Sequence, residues 1–290
     1  MSRHDDLISN IGKQTIFCSN LGFGEQGAIL AEMPKSIFVC PDILKARQMS
    51  EQLTALGRKN VVVDDFSRPF TLAKFTSNEN KIDLIKTLYE LTTSNPIIIS
   101  TPQILATPIV DLKCFEENLF ELTKNQEYDI LEVEKNLTRI GYKKVDSVTT
   151  AGEFSRRGDI IDIFNVVSSN PIRLDFFDTE LEDIYSFDFL TFDKIEKLNS
   201  VIISPNSTLI LSKEEKEKII TELNKFKLDD QIFFDLISSL ELEQEIPLEF
   251  LSPFTSKIKS IAELNKIVLL LQPSVNILKD AKFHTIKCDL

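Results

Sequence analysis

The chain has few of the residues from which metal or nucleophilic chemistry is built. It carries two histidines, His4 and His284, and four cysteines, Cys18, Cys40, Cys114 and Cys288, far apart and without CxxC spacing. A structural zinc site needs close sets of such ligands, so no metal is expected, and scattered thiols suit a reducing compartment. No serine or cysteine has a histidine nearby in sequence, which leaves nucleophilic catalysis without support. Long apolar runs are missing too: Ile267–Leu271 is far too short to span a bilayer, and the opening residues carry Arg3, Asp5 and Asp6 without an apolar core. A cytoplasmic protein with no membrane association is the expectation. Positive charge is also short. Lys and Arg number 33 against 45 Asp and Glu, a net charge of −12, which opposes non-specific attachment to phosphate backbones or anionic lipid. Any basic binding surface must be local.

With 290 residues, 42% of them apolar, the chain has material for two modest cores. Ile16–Cys18, Ile37–Cys40, Val61–Val63 and Ile97–Ile99 read as buried strands, because continuous β-branched runs suit a parallel sheet covered on both faces. Between them Ala46, Met49, Leu53 and Leu56 recur at helical spacing, with Asp42 as cap and Gly57 as stop, and Ile82, Ile85, Leu88 and Leu91 repeat the pattern. From about Cys114 the texture changes. Leu131, Val133, Leu137 and Ile140 predict a helix ended by Gly141, and every segment from there to Pro205 reads as an antiparallel strand. In Ile172–Phe177, Ile172, Leu174 and Phe176 share one face while Arg173, Asp175 and Phe177 share the other. Helices return after Pro205: Ser212 with Glu215 makes a capping box before Ile219, Ile220 and Leu223, and Phe233, Phe234, Ile237 and Leu240 predict another. Ile267–Leu271 reads as a further buried strand. The expected fold class is α/β: a degenerate phosphate-loop NTPase-like parallel-sheet domain, residues 1–112, with an inserted, mainly antiparallel β domain, residues 113–204, and a return segment, residues 205–290.

The NTPase likeness comes from Gly22 to Ile29, which keeps the G-x4-G spacing through Gly22 and Gly27. A working phosphate loop then needs a lysine for the outer phosphates and a hydroxyl for magnesium; Ala28 and Ile29 stand there instead, and Glu25 adds negative charge. The loop is expected to bind no nucleotide. Asp64 and Asp65, after the third strand, resemble the magnesium-holding strand end of NTPases but are also ordinary solvated punctuation. Asp175, Asp178, Glu180, Glu182 and Asp183 form an acidic run in which Asp178-Thr179 falls where a hairpin turn is expected.

Lys143, Lys144, Arg156, Arg157 and Arg173 make the one basic group that stands out, lying in and beside GEFSRRGDIIDIF, Gly152–Phe164, and IRLDFF, Ile172–Phe177. Arg156 and Arg157 are adjacent on a strand and so project to opposite faces. Arginine beside aromatic residues is a composition of interface hot spots, because a planar guanidinium both stacks and pairs with carboxylates. The residues point to a protein-docking surface.

The run from Gly141 to Pro205 resembles the module shared by the excision-repair helicase UvrB and the bacterial transcription-repair coupling factors, with looser likeness at Val39–Leu53 and Leu248–Phe254. UvrB proteins keep an intact phosphate loop and a tyrosine-rich hairpin; with Ala28 and Ile29 in the loop and four unclustered tyrosines, the chain is more similar to the coupling factors. That resemblance implies a UvrA-binding surface including Lys144, Arg156, Arg157, Arg173 and Asp175 with Phe164 nearby, and a departure at Ser155, where UvrB has an arginine. It further implies that the chain is the N-terminal part of a longer protein. RNA polymerase and DNA would be partners of the whole, ATP and magnesium would belong to its motor domains, and this part would need no cofactor. A UvrB-like ATPase and a direct DNA-binding module are the alternatives.

Overall fold

In the computed structural model of the chain, the described residues are 16–19, 22–33, 36–63, 78–105, 107–225, 230–241, 246, 248–264, 267–270 and 285–289. Asp64 and Asp65 lie outside them. The chain divides into two compact units, one of Met1–Thr71, Glu90–Asp111 and Leu248–Leu290, the other of Leu72–Tyr89 and Leu112–Pro247. Among the described residues no helix is long and apolar enough to cross a membrane.

The first unit is built on a six-stranded sheet of β1 (Ile16–Ser19), β2 (Ser36–Val39), β3 (Asn60–Val62), β4 (Ile97–Ser100), β15 (Ile267–Leu270) and β16 (Thr285–Asp289), ordered β1-β16-β15-β2-β4-β3, with every pairing parallel. All four residues of β2 and of β4 are buried, as apolar runs at the centre of a covered parallel sheet must be. The Ile43–Ala55 helix starts where Asp42 accepts a hydrogen bond from Lys45 N–H and buries Ala46, Met49 and Leu53 against Phe38, Ile97 and Ile99. It stops at Gly57, whose φ of 71° permits paired bonds from Gly57 N–H to Thr54 O and Arg58 N–H to Leu53 O. Leu56, expected in the apolar stripe, is instead 49% exposed because it sits in this closing turn. A separate two-stranded ladder joins β5 (Pro108–Val110) to β14 (Ile258–Ser260).

The second unit holds the other large sheet: β7 (Lys143–Lys144), β8 (Glu153–Arg157), β9 (Ile160–Ile163), β10 (Ile172–Phe177), β11 (Glu180–Phe187) and β12 (Lys194–Leu198), in the order β12-β11-β10-β9-β8-β7. Four of the five pairings are antiparallel, but β7 runs parallel to β8, which the sequence reading missed. β13 (Ser200–Ile203) also departs from it, pairing with β6 (Phe120–Thr123) instead of joining the sheet. Phe154, Ile161, Ile163, Ile172, Leu174, Phe176 and Ile184 of the sheet pack with Val133 and Leu137 of the Ile130–Arg139 helix and with Leu122, Val201 and Ile203. Leu131 is 52% exposed, since two residues of helix separate it from Val133 by more than half a turn. In the Asp230–Glu241 helix the buried side chains include Leu236, Ser239 and Leu240, while Phe234 is exposed, so the apolar stripe lies off the line read from sequence. The Ser212–Glu215 capping box forms as read.

Candidate functional site

Alternation along three strands decides which way each candidate faces. Because Ile161, Leu174 and Phe154 enter the core, Ser155, Arg157, Ile160, Asp162, Arg173, Asp175 and Phe177 project from the other side of the sheet. Register then sets them in rows. One row runs Ser155, Asp162, Arg173, Tyr185, Lys197 across five strands; the next runs Arg157, Ile160, Asp175, Asp183 across four. Three of the sequence-read site residues, Arg157, Arg173 and Asp175, therefore share one outward face.

Arg173 is held tightly there. Its Nε and Nη2 donate to the two carboxylate oxygens of Asp162 at 2.6 and 2.8 Å, and its guanidinium lies 4.9 Å from the centre of the Phe187 ring. The bond to Asp162 raises the guanidinium well above its ordinary range, so it is charged at every accessible pH. In the neighbouring row Arg157 is exposed and donates to the Asp146 carbonyl at 2.8 Å. Neither Arg157 nor Asp175 has an ion-pair partner among the described residues, and the half-buried Ile160 stands between them in register. Beyond Asp175, Asp183 pairs with Lys194 at 2.9 Å and Lys124 at 3.3 Å, and the Lys194 contact leads in depressing its carboxyl. Lys194 also sits 3.6 Å from the centre of the Tyr185 ring.

Lys144 and Arg156 lie elsewhere. Both pair with Glu134 of the helix, Arg156 at 3.2 Å, on the side of the sheet that the helix covers. Phe164 is 9% exposed and packs with Val148 and Phe187, its ring 6.0 Å from Phe189. It underpins the outward face without presenting much surface. Phe177, by contrast, is 70% exposed on that face, and the same alternation that placed Arg173 outward was the signal for it. The acidic run resolves into a hairpin, with Asp178 at φ 56° in the two-residue turn between β10 and β11.

Over Gly22–Ile29 the chain enters the Phe23–Ala31 helix. Gly22 N–H donates to Glu25 Oε2 at 2.8 Å, Ala28 is exposed, and Ile29 is buried in the core. Gly27 lies directly beneath Gln52, whose Nε2 donates to Gly24 O.

Residues 120–209 match the UvrB interaction domain family. The chain is 28% identical over 218 residues to the transcription-repair-coupling factor of Bacillus subtilis (strain 168), covering 70% of this chain and 18% of that protein. It is 32% identical over 135 residues to UvrABC system protein B of Thermosipho africanus, 47% of this chain and 20% of that protein. A third relative, the transcription-repair-coupling factor of Borreliella burgdorferi, is 30% identical over 181 residues, 56% of this chain and 16% of that protein. The chain thus spans no more than a fifth of the length of these relatives. The sheet that carries the two rows lies within residues 120–209, which match the UvrB interaction domain, and the chain is similar there to both transcription-repair-coupling factors and UvrB proteins.

Proposed function

We propose that this chain is a non-catalytic docking module that recruits UvrA, the damage-recognition subunit of nucleotide excision repair, to sites where RNA polymerase has stalled. The observation that carries the reading is the outward sheet face, where Arg157 and Asp175, neither with an ion-pair partner among the described residues, flank Ile160 beside the fixed Arg173. Strand spacing sets Arg157 and Asp175 about 10 Å apart at Cα, so a partner must offer a carboxylate and a cation at matching separation. A folded protein meets that demand. A nucleic-acid backbone, uniformly anionic, offers no cation to meet Asp175.

Two features at Gly22–Ile29 support the non-catalytic half of the proposal. Glu25 takes the Gly22 amide that an incoming phosphate would need, and Ile29 is turned into the core. In the full-length protein, displacement of RNA polymerase with ATP would fall to domains other than this one. The test is titration of the chain with purified UvrA: Arg157→Ala and Arg173→Ala should each cost about 2 kcal/mol of binding if they are hot spots. Unchanged affinity in both folded variants would remove the site assignment.

A further inference from the structure

A carboxylate on the outward face of an antiparallel sheet ordinarily points into water, yet Asp162 is 5% exposed. Arg173, directly opposite on β10, gives Nε–H and one Nη2–H to its two oxygens. Phe187 lies against the guanidinium from a third strand. Two bonds to Asp162 and the Phe187 ring at 4.9 Å leave the group little rotational freedom, while its three remaining Nη protons lie beyond Asp162, beside Tyr185. The Arg173 side chain keeps 21% of its surface exposed, enough for those donors to be met from outside. An ion pair in such a place adds little stability over an apolar pair of equal volume, so stability alone does not account for it.

We propose that Asp162 is the positioning residue of the docking face, holding Arg173 so that acceptor oxygens of the protein partner meet donors already aimed at them. This rests on the docking reading above. An arginine free in solvent gives up its rotamers on binding, whereas Arg173 has given them up in the unbound fold, and with its charge balanced by Asp162 it favours planar acceptors matched to its donors over any anion.

The experiment measures UvrA binding by calorimetry for the chain as it stands, for D162N, for R173A and for the double variant, with folding of each followed by circular dichroism. D162N is expected to weaken binding about tenfold alone and to add nothing once Arg173 is gone. A purely structural role would instead lower affinity by the same factor in both backgrounds, and that additivity would overturn the assignment while leaving UvrA docking intact. No binding by the unsubstituted chain would overturn the docking reading and this assignment with it. Should D162N unfold, the exchange variant D162R/R173D keeps the pair but moves the guanidinium to β9. It is expected to bind as weakly as R173A, and full affinity would overturn the proposal.

Discussion

Gly152, at the head of β8, adopts φ +89°, and a Cβ built there would lie 2.4 Å from Asn206 Nδ2. That amide donates to Gly141 O at 2.9 Å, and Gly141 itself sits at φ +94° as the helix before it turns into β7. Gly152→Ala is therefore expected to cost about 2 kcal/mol in urea unfolding, since it combines a strained backbone with displacement of a bonded side chain. Nearby, Tyr142 is buried with its hydroxyl 2.8 Å from the Ser204 carbonyl, and burial pushes that hydroxyl above its ordinary range. Asn165 completes the link through Ile202 O and Ser204 N–H, tying the ends of three strands. Tyr142→Phe should lose about 1 kcal/mol or more by the same measurement, because the Ser204 carbonyl would be left buried with a donor removed. The turn at Gly141 was legible as a helix stop. The polar link was not, since Tyr142 and Ser204 lie 62 residues apart and nothing local marks them as a pair.

Helix and sheet edge are joined by Glu134, which receives Lys144 and Arg156 together. The Lys144 contact leads in lowering its carboxyl from the ordinary value of 4.5, with Arg156 helping and partial burial opposing. A depressed carboxyl contributes stability above its unfolded value and loses it as pH falls through the folded one. Wild type should thus exceed Glu134→Gln by about 1 kcal/mol near neutrality, limited by solvent screening at the exposed Lys144 end. The gap should close progressively below pH 4.5, as parallel urea titrations at several pH values would show. Alternation told from sequence that Arg156 and Arg157 face apart, and it was right about β10. What it could not tell was that β7 runs parallel to β8, because a two-residue strand has no periodicity to read. Alternation splits Arg156 from Arg157 between a helix-side clasp and an outward face, and Lys144 joins the clasp because β7 sets it beside Phe154.

Across the whole chain the net charge of −12 sets the sign of long-range forces, favouring protein over nucleic acid. Five strands of the first unit's parallel sheet were legible as short apolar runs, whereas β16, with Lys287 and Asp289 in it, was not; the proposed loss of nucleotide binding turns on a few positions near Gly22. If only missing side chains disabled that loop, Ala28→Lys with Ile29→Thr would restore the lysine and hydroxyl that a nucleotide site needs. The local structure argues otherwise. Glu25 still occupies the Gly22 amide, and a threonine at position 29 would carry its hydroxyl into an apolar core with Leu30, Phe38 and Met49. The double variant is expected to lose about 2 kcal/mol of stability and to gain no saturable binding of magnesium-ATP by calorimetry. One-to-one ATP binding, in that variant or in the unsubstituted chain, would instead return the enzyme reading to contention, because it would mean that the helix end can release Glu25 and accept phosphate.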